Sequence, residues 1–254
     1  VSPMVFRHLG TEDGLSQNSV MATTQDAQGY VWLATEDGLN RYDGYRLKRF
    51  GRDRNDPNGL VSNFIWNLQP DRSGNLWLAV KNGGVAKFDP RSETFTTFRH
   101  DPSDERSLSS DATRHVLVAS DGVVWIGTTG GGLNSIEPRT GRITRFRHHE
   151  AATDSLSSDV VTAIAEDRSG AIWIATDDGL NRLTPKTGRF THYRRDPTNS
   201  RSLPSDRLST LHVDRGGTLW VGSFDRGLAR FDGDAVGFMH FAPGTVEARA
   251  LSNA

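Results

Sequence analysis

Five tryptophans recur at a nearly constant interval along this chain. Trp32, Trp77, Trp125, Trp173 and Trp220 are separated by 45, 48, 48 and 47 residues. A self-similar unit of about 40 to 50 residues is typical of architectures in which each repeat is one supersecondary element that cannot bury its apolar face alone. Neighbouring repeats must therefore pack against one another, and this requirement constrains every local assignment.

Each repeat predicts four short strands. In the fourth copy, residues 159–167 are rich in β-branched and apolar residues and end at the turn Asp167–Gly170. A second strand contains Trp173, the turn at 177–179 leads into a third, and residues 189–193 form a fourth. Three hairpins in so short a stretch leave no room for a helix.

These repeats predict an all-β fold, a β-propeller of four-stranded antiparallel blades. The five blades are expected at approximately residues 15–50, 60–98, 108–146, 156–193 and 203–241. Residues 4–9 resemble an outer strand that closes another blade, and residues 250–254 repeat the opening of a further one. We therefore expect a single propeller region over residues 1–254 that is a fragment of a larger propeller, with about six to eight blades.

Composition excludes several classes of partner. The chain has 30 basic and 31 acidic residues, so its net charge of -1 favours neither nucleic acid nor an anionic membrane. It contains no run of 18 apolar residues, and we expect membrane attachment only through segments outside this chain. Cysteine is absent, which excludes disulfides, thiolate metal sites and a cysteine nucleophile. No cofactor is indicated.

The repeat resembles a known family. Residues 18–43, which include Asp-Ala-Gln-Gly-Tyr-Val-Trp-Leu-Ala-Thr-Glu-Asp-Gly-Leu-Asn, are similar to the two-component regulator propeller repeat, as are 74–79 and 170–176. This resemblance implies the periplasmic ligand-sensing region of a bacterial receptor, often for glycans or other nutrients. It also implies a histidine kinase or diguanylate cyclase module outside the chain.

The family motif is scaffold, so ligand-binding residues are expected where the copies differ. In this topology the turn between second and third strands shares a face with the connections between blades. Candidates on that face are Lys81, Asn82, Asp178, Phe224 and Arg226.

A second set of candidates lies on the innermost strand. Alignment of the copies places Met21, Trp66, Arg114, Thr162 and Ser209 at one position, with His115 following Arg114. Trp66 can stack on a sugar or another flat ligand, while Arg114 and His115 supply directed hydrogen bonds. The alternative is that Trp66 fills space between blades and that Arg114 pairs with a neighbouring aspartate.

Two other functions stay open. A propeller lyase or hydrolase is the first, although the chain has no HExxH and no glycine-flanked nucleophilic serine, and we assign no catalytic residue. His148 and His149 are adjacent and point oppositely on an extended chain, so we assign no metal site either. The second is a protein-interaction scaffold that forms a homodimer through the same face.

Overall fold

The computed structural model describes residues 8–53, 55, 59–152 and 154–241. It consists of five four-stranded antiparallel sheets, and within each sheet the strands neighbour one another in chain order. These are the propeller blades that the repeat predicts. The proposed start of a further blade at 250–254 lies outside the described residues, as does the proposed strand at 4–9 except for His8 and Leu9, which are not in a strand.

Blades 1 and 2 form one compact unit. Blade 1 contains β1 (Val20–Gln25), β2 (Val31–Thr35), β3 (Gly38–Tyr42) and β4 (Leu47–Phe50). Blade 2 contains β5 (Ile65–Pro70), β6 (Leu76–Val80), β7 (Gly84–Asp89) and β8 (Thr94–Phe98). A single turn of 3-10 helix, Thr11–Asp13, precedes blade 1.

Blades 3, 4 and 5 form the second compact unit. Blade 3 contains β9 (Thr113–Val118), β10 (Val124–Thr128), β11 (Leu133–Glu137) and β12 (Arg142–Phe146). Blade 4 contains β13 (Val161–Glu166), β14 (Ile172–Thr176), β15 (Gly179–Thr184) and β16 (Arg189–Tyr193). Blade 5 contains β17 (Leu208–Val213), β18 (Leu219–Ser223), β19 (Leu228–Phe231) and β20 (Phe238–Phe241).

Each blade has a tryptophan face and an aliphatic face, because side chains on a strand alternate between the two sides of the sheet. The tryptophan face of blade 1 carries Trp32, which packs against Leu76, Leu78 and Phe88 on the aliphatic face of blade 2. The same arrangement joins blade 3 to blade 4 and blade 4 to blade 5. Trp32, Trp125 and Trp173 are thus central members of the cores between these blades.

The outer strands carry apolar residues three positions apart. The spacing alone suggests two core positions, yet only the first residue is buried in β8 and β16, at Phe95 and Phe190. Residues three apart on a strand point to opposite faces. The second residue stacks on the tryptophan of its own blade instead, with ring centroids 5.5 Å apart for Phe98 and Trp77.

Candidate ligand-binding face

The turn between the second and third strands of a blade is hydrogen bonded to the chain that enters the next blade. The amide of Gly38 donates to the carbonyl of Asn63 at 2.8 Å, and that of Gly179 donates to Asp206 at 2.8 Å. The side chains of Asn63 and Asp206 also accept from backbone amides just beyond the outer strand, at Arg52 and Arg195. The turns and connections therefore share one face, which we call the turn face.

Every first strand carries a β-bulge on the turn face. Pairing with the second strand skips one residue in each blade: Met21, Trp66, Arg114, Thr162 and Ser209. A bulge leaves its extra residue outside the ladder and redirects that side chain, and bulges are frequent beside functional sites. The residue skipped in the strand pairing is thus one that differs in all five copies.

In blade 2 the bulge residue belongs to an aromatic pair. Trp66 is half-buried and contacts Phe64, with ring centroids 4.4 Å apart and planes at 49°. The ammonium of exposed Lys81 lies 4.6 Å from the Phe64 ring centre and 6.0 Å from that of Trp66. We call these three residues the aromatic platform. Asn82, the next residue of the turn, is exposed and has a left-handed backbone conformation, with φ 53°.

In blade 5 the same positions carry Arg207 and Phe224. The guanidinium carbon of Arg207 lies 5.9 Å from the Phe224 ring centre, and 58% of Phe224 is exposed. Arg226, two residues further along the turn, is exposed and lines a cleft of about 280 Å³ together with His240 and Arg195.

In blade 3, Arg114 and His115 lie next to each other on β9 and both are half-buried. The Nδ1 atom of His115 is buried, and it neither accepts nor donates a hydrogen bond within the described residues. Burial and the neighbouring Arg114 charge lower the pKa of His115 to about 4. This imidazole is therefore neutral at physiological pH.

In blade 4, Asp178 accepts a hydrogen bond from Arg194 at 2.6 Å. Both line a cleft of about 530 Å³ that also contains His148, His149 and His192. The Nδ1 atom of His148 pairs with the Leu156 carbonyl, and Nε2 of His192 with that of Ser155. These two imidazoles hold the connection between blades. Across the described parts of the chain, no three His, Cys, Asp or Glu residues cluster as metal ligands would.

The predicted site residues therefore fall into separate groups. Trp66 and Lys81 meet in blade 2, Arg114 and His115 are neighbours in blade 3, and Asp178 lies in the larger cleft of blade 4. Phe64 and Arg207 were not predicted from the sequence as site residues. A signal was available, because both occupy the position two residues before the bulge, where residues on a strand share a side.

Comparison with known proteins gives the family. The sequence profile described as two component regulator propeller matches residues 14–37, 59–82 and 155–178, within blades 1, 2 and 4. The chain therefore contains two component regulator propeller repeats. Histidine kinase P4 from Formosa agariphila is 43% identical to this propeller over 61 residues, which are 24% of this chain and 4% of the kinase.

Solved structures give the same assignment. The propeller superposes on the extracellular domain of a protein described as a hybrid two component system from B. thetaiotaomicron, with a TM-score of 0.79 and 25% identity. The match covers 92% of this chain and 31% of that one. This chain thus spans about a third of that structure.

A lyase is similar in fold alone. Virginiamycin B lyase from Staphylococcus aureus superposes with a TM-score of 0.63 and 16% identity, over 90% of this chain and 71% of the lyase. Within the described residues, no helix of the propeller has the length and apolar character needed to cross a bilayer.

Proposed function

We propose that this propeller is the periplasmic sensing region of a bacterial membrane receptor. It binds a small molecule or glycan and passes the signal to a histidine kinase or diguanylate cyclase outside this chain. The likeness to the extracellular domain of a hybrid two component system supports this role. Similarity to part of a histidine kinase supports the proposed output.

The observation that carries the proposal is the contrast between scaffold and bulge. The tryptophans, turn glycines and strand registers recur, whereas the bulge position holds methionine, tryptophan, arginine, threonine or serine. Residues that a scaffold does not need, presented on turns and connections, are where binding specificity is expected.

The proposed region binds its ligand without converting it. Four ionisable side chains of the larger cleft are engaged in structural contacts: His148 and His192 bind backbone carbonyls, and Asp178 is paired with Arg194. This differs from a catalytic acid or base, which needs access to a proton on the substrate.

The test is a thermal-shift screen of the 254-residue chain against neutral and acidic oligosaccharides and small organic acids, followed by calorimetry of the hits. We expect one class to bind, to weaken on Arg114→Ala or Trp66→Ala, and to be recovered chemically intact by mass spectrometry. A cleaved or isomerised ligand would identify an enzyme instead. Absence of binding across the screen, with concentration-dependent mass in solution, would favour the interaction scaffold.

A further inference from the structure

The aromatic platform of blade 2 has a geometry that the blade itself does not require. The equivalent residues in blade 1 are Ser19, Met21 and Glu36, and blade 4 has Val160, Thr162 and Asp177. Both of these blades form the same four-stranded sheet with the same bulge. The two rings and the ammonium of the platform are therefore additions to the scaffold.

The platform is held in place by the backbone. The Lys81 amide donates to the Phe64 carbonyl at 2.9 Å, which fixes the turn residue beside the residue that precedes β5. Phe64 and Trp66 flank the buried Ile65, and the bulge at Trp66 turns its ring toward Phe64. The backbone position of Lys81 and the contact between the two rings are therefore set before a ligand arrives, and preorganisation of this kind favours binding.

Blade 5 repeats the arrangement with the residue types exchanged. Arg207 occupies the position of Phe64, Phe224 occupies the position of Lys81, and the Phe224 amide donates to the Arg207 carbonyl at 3.1 Å. Each pair places one cation against one aromatic ring. An aromatic residue and a cation thus occur together at this pair of positions in two blades, in opposite order.

The charge of the platform is available to a ligand. Among the described residues, Lys81 forms no ion pair with a carboxylate, and its side chain is exposed. The corresponding turn of blade 4 differs, because Asp177 and Asp178 supply negative charge there and Asp178 already pairs with Arg194. The turn of blade 2 therefore attracts an anionic ligand, whereas that of blade 4 has no free cation to offer from its Asp178–Arg194 pair.

We propose that the platform of Phe64, Trp66 and Lys81 binds a ring-bearing carboxylate, with the ring on the aromatic side chains and the carboxylate on the Lys81 ammonium. An aromatic face accepts the C–H face of a sugar or another π-system. An ammonium that stands beside it pairs with a carboxylate as a charge-assisted hydrogen bond. The ring is that of a uronic acid or of an aromatic acid, and both share this chemistry. The inference rests on the proposed sensing function and names the ligand class for one site.

The experiment compares acids with their own methyl esters, which keep the ring and remove the charge. Calorimetry of the 254-residue chain uses trigalacturonate and its methyl ester in one arm, and indole-3-acetate and its methyl ester in the other. We expect the acid of one arm to bind about tenfold or more tightly than its ester, as expected for a hydrogen bond to a charged group. Lys81→Gln should remove that difference, and Trp66→Leu should weaken the acid and the ester alike.

Lys48→Gln is the matched control. Lys48 is an exposed lysine of the same unit whose ammonium lies 5.3 Å from the Phe50 ring centre, on the outer strand, where it pairs with Glu93. It should leave binding unchanged, and all variants should keep the wild-type Tm. The inference is overturned if the acid and its ester bind wild type with equal affinity. It is also overturned if the acid binds wild type and Lys81→Gln with equal affinity. Absence of binding in both arms overturns it as well, whereas the proposed sensing function fails only if the wider screen also finds no ligand.

Discussion

The aspartate that opens the first hairpin of a blade has two tasks. In blade 4, Asp167 accepts from the amides of Ser169 and Ala171, and its other oxygen accepts from the indole nitrogen of Trp173 at 2.8 Å. The same indole bond occurs at 2.7 Å from Trp32 to Asp26. One side chain therefore caps the turn and satisfies the polar atom of the buried anchor. Blade 3 has Ala119 at this position, which has no side-chain oxygen to accept a bond from the indole.

The first prediction concerns this aspartate. Asp167→Ala leaves the indole N–H and two amides without their acceptor, so we expect the free energy of unfolding to fall by about 1 to 3 kcal/mol. Asp121→Ala is the control. Within the described residues the exposed Asp121 side chain accepts only from the Val123 amide, so this substitution should cost less than about 1 kcal/mol. Urea denaturation followed by tryptophan fluorescence measures both. Similar losses would show that the indole bond contributes nothing.

The second prediction concerns pH. Because the pKa of His115 is lowered to about 4, the folded chain stays unprotonated at this site between that value and the ordinary value near 6.5, where the unfolded chain binds a proton. Stability due to neutral His115 is therefore complete above pH 6.5 and declines as the pH falls toward 4, by at most about 1.4 kcal/mol per pH unit.

His115→Asn tests this, since blade 2 has Asn67 at the same position. Denaturation at pH 7.5 and at pH 4.5 should show a smaller acid loss for the variant than for wild type. If the two lose stability equally, His115 is not protonated on unfolding in this range, and the low pKa is wrong.

At the scale of the element, a pair of residues ties the third strand to the chain that enters its blade. The Asn40 side chain accepts from the Ser16 amide and donates to the Ser16 hydroxyl. Asn134 with Ser109 and Asn181 with Ser157 repeat both bonds. Blades 2 and 5 lack this pair. The asparagine position holds Ala86 in blade 2 and Ala229 in blade 5, and the serine position holds Val61 and Pro204. The two positions change together because either partner alone would leave a buried polar group unsatisfied.

The two hairpin turns of blade 2 depend on glycine for separable reasons. Gly84 has φ 72°, and a Cβ there would lie 2.2 Å from the Phe98 carbonyl oxygen. Gly74, in the first turn of the same blade, has φ 88°, but a Cβ would meet nothing within 4 Å. The first glycine is required by its backbone conformation and by the close approach of the outer strand, whereas the second is required by conformation alone.

The third prediction follows from that contrast. Gly74→Ala should cost about 1 to 2 kcal/mol, the ordinary penalty for a left-handed alanine. Gly84→Ala should cost clearly more, because β8 must also move away from β7. The measurement is the urea midpoint of each variant with the m-value as a check on two-state behaviour. An equal cost at both sites would mean that the outer strand yields without penalty.

The sequence allowed the five blades, their strands and the turn face to be predicted, because tryptophan spacing and turn glycines are local signals that repeat. The asparagine–serine tie and the indole bond to Asp167 were not predicted, since each depends on which side chains meet after folding. The first left a trace in the sequence, namely the joint loss of Asn and Ser in blades 2 and 5. Phe64 was not predicted as the partner of Lys81, because the two meet through a backbone hydrogen bond between the turn and the residue that precedes β5.

At the scale of the whole molecule, equivalent positions differ in burial from blade to blade. On the aliphatic face of blade 2, Leu76 and Leu78 are both 0% exposed against the tryptophan face of blade 1. The same positions of blade 1, Val31 and Leu33, are half-buried. Val31 and Leu33 are therefore apolar residues that burial stabilises less than it does Leu76 and Leu78.

The fourth prediction compares the two faces within one compact unit. Leu78→Ala removes a fully buried side chain from the core between blades 1 and 2, so we expect the free energy of unfolding of that unit to fall by about 2 to 5 kcal/mol. Leu33→Ala deletes the same atoms at the equivalent position but should cost about 1 kcal/mol or less, because its side chain retains contact with water. Urea denaturation at several protein concentrations measures both losses. Leu33→Ala could prove as costly as Leu78→Ala, with a loss that grows with protein concentration. That result would mean that a second copy covers the half-buried face of blade 1 in solution. Equal losses at every concentration would instead show that the partly exposed leucine contributes as much to this unit as the buried one.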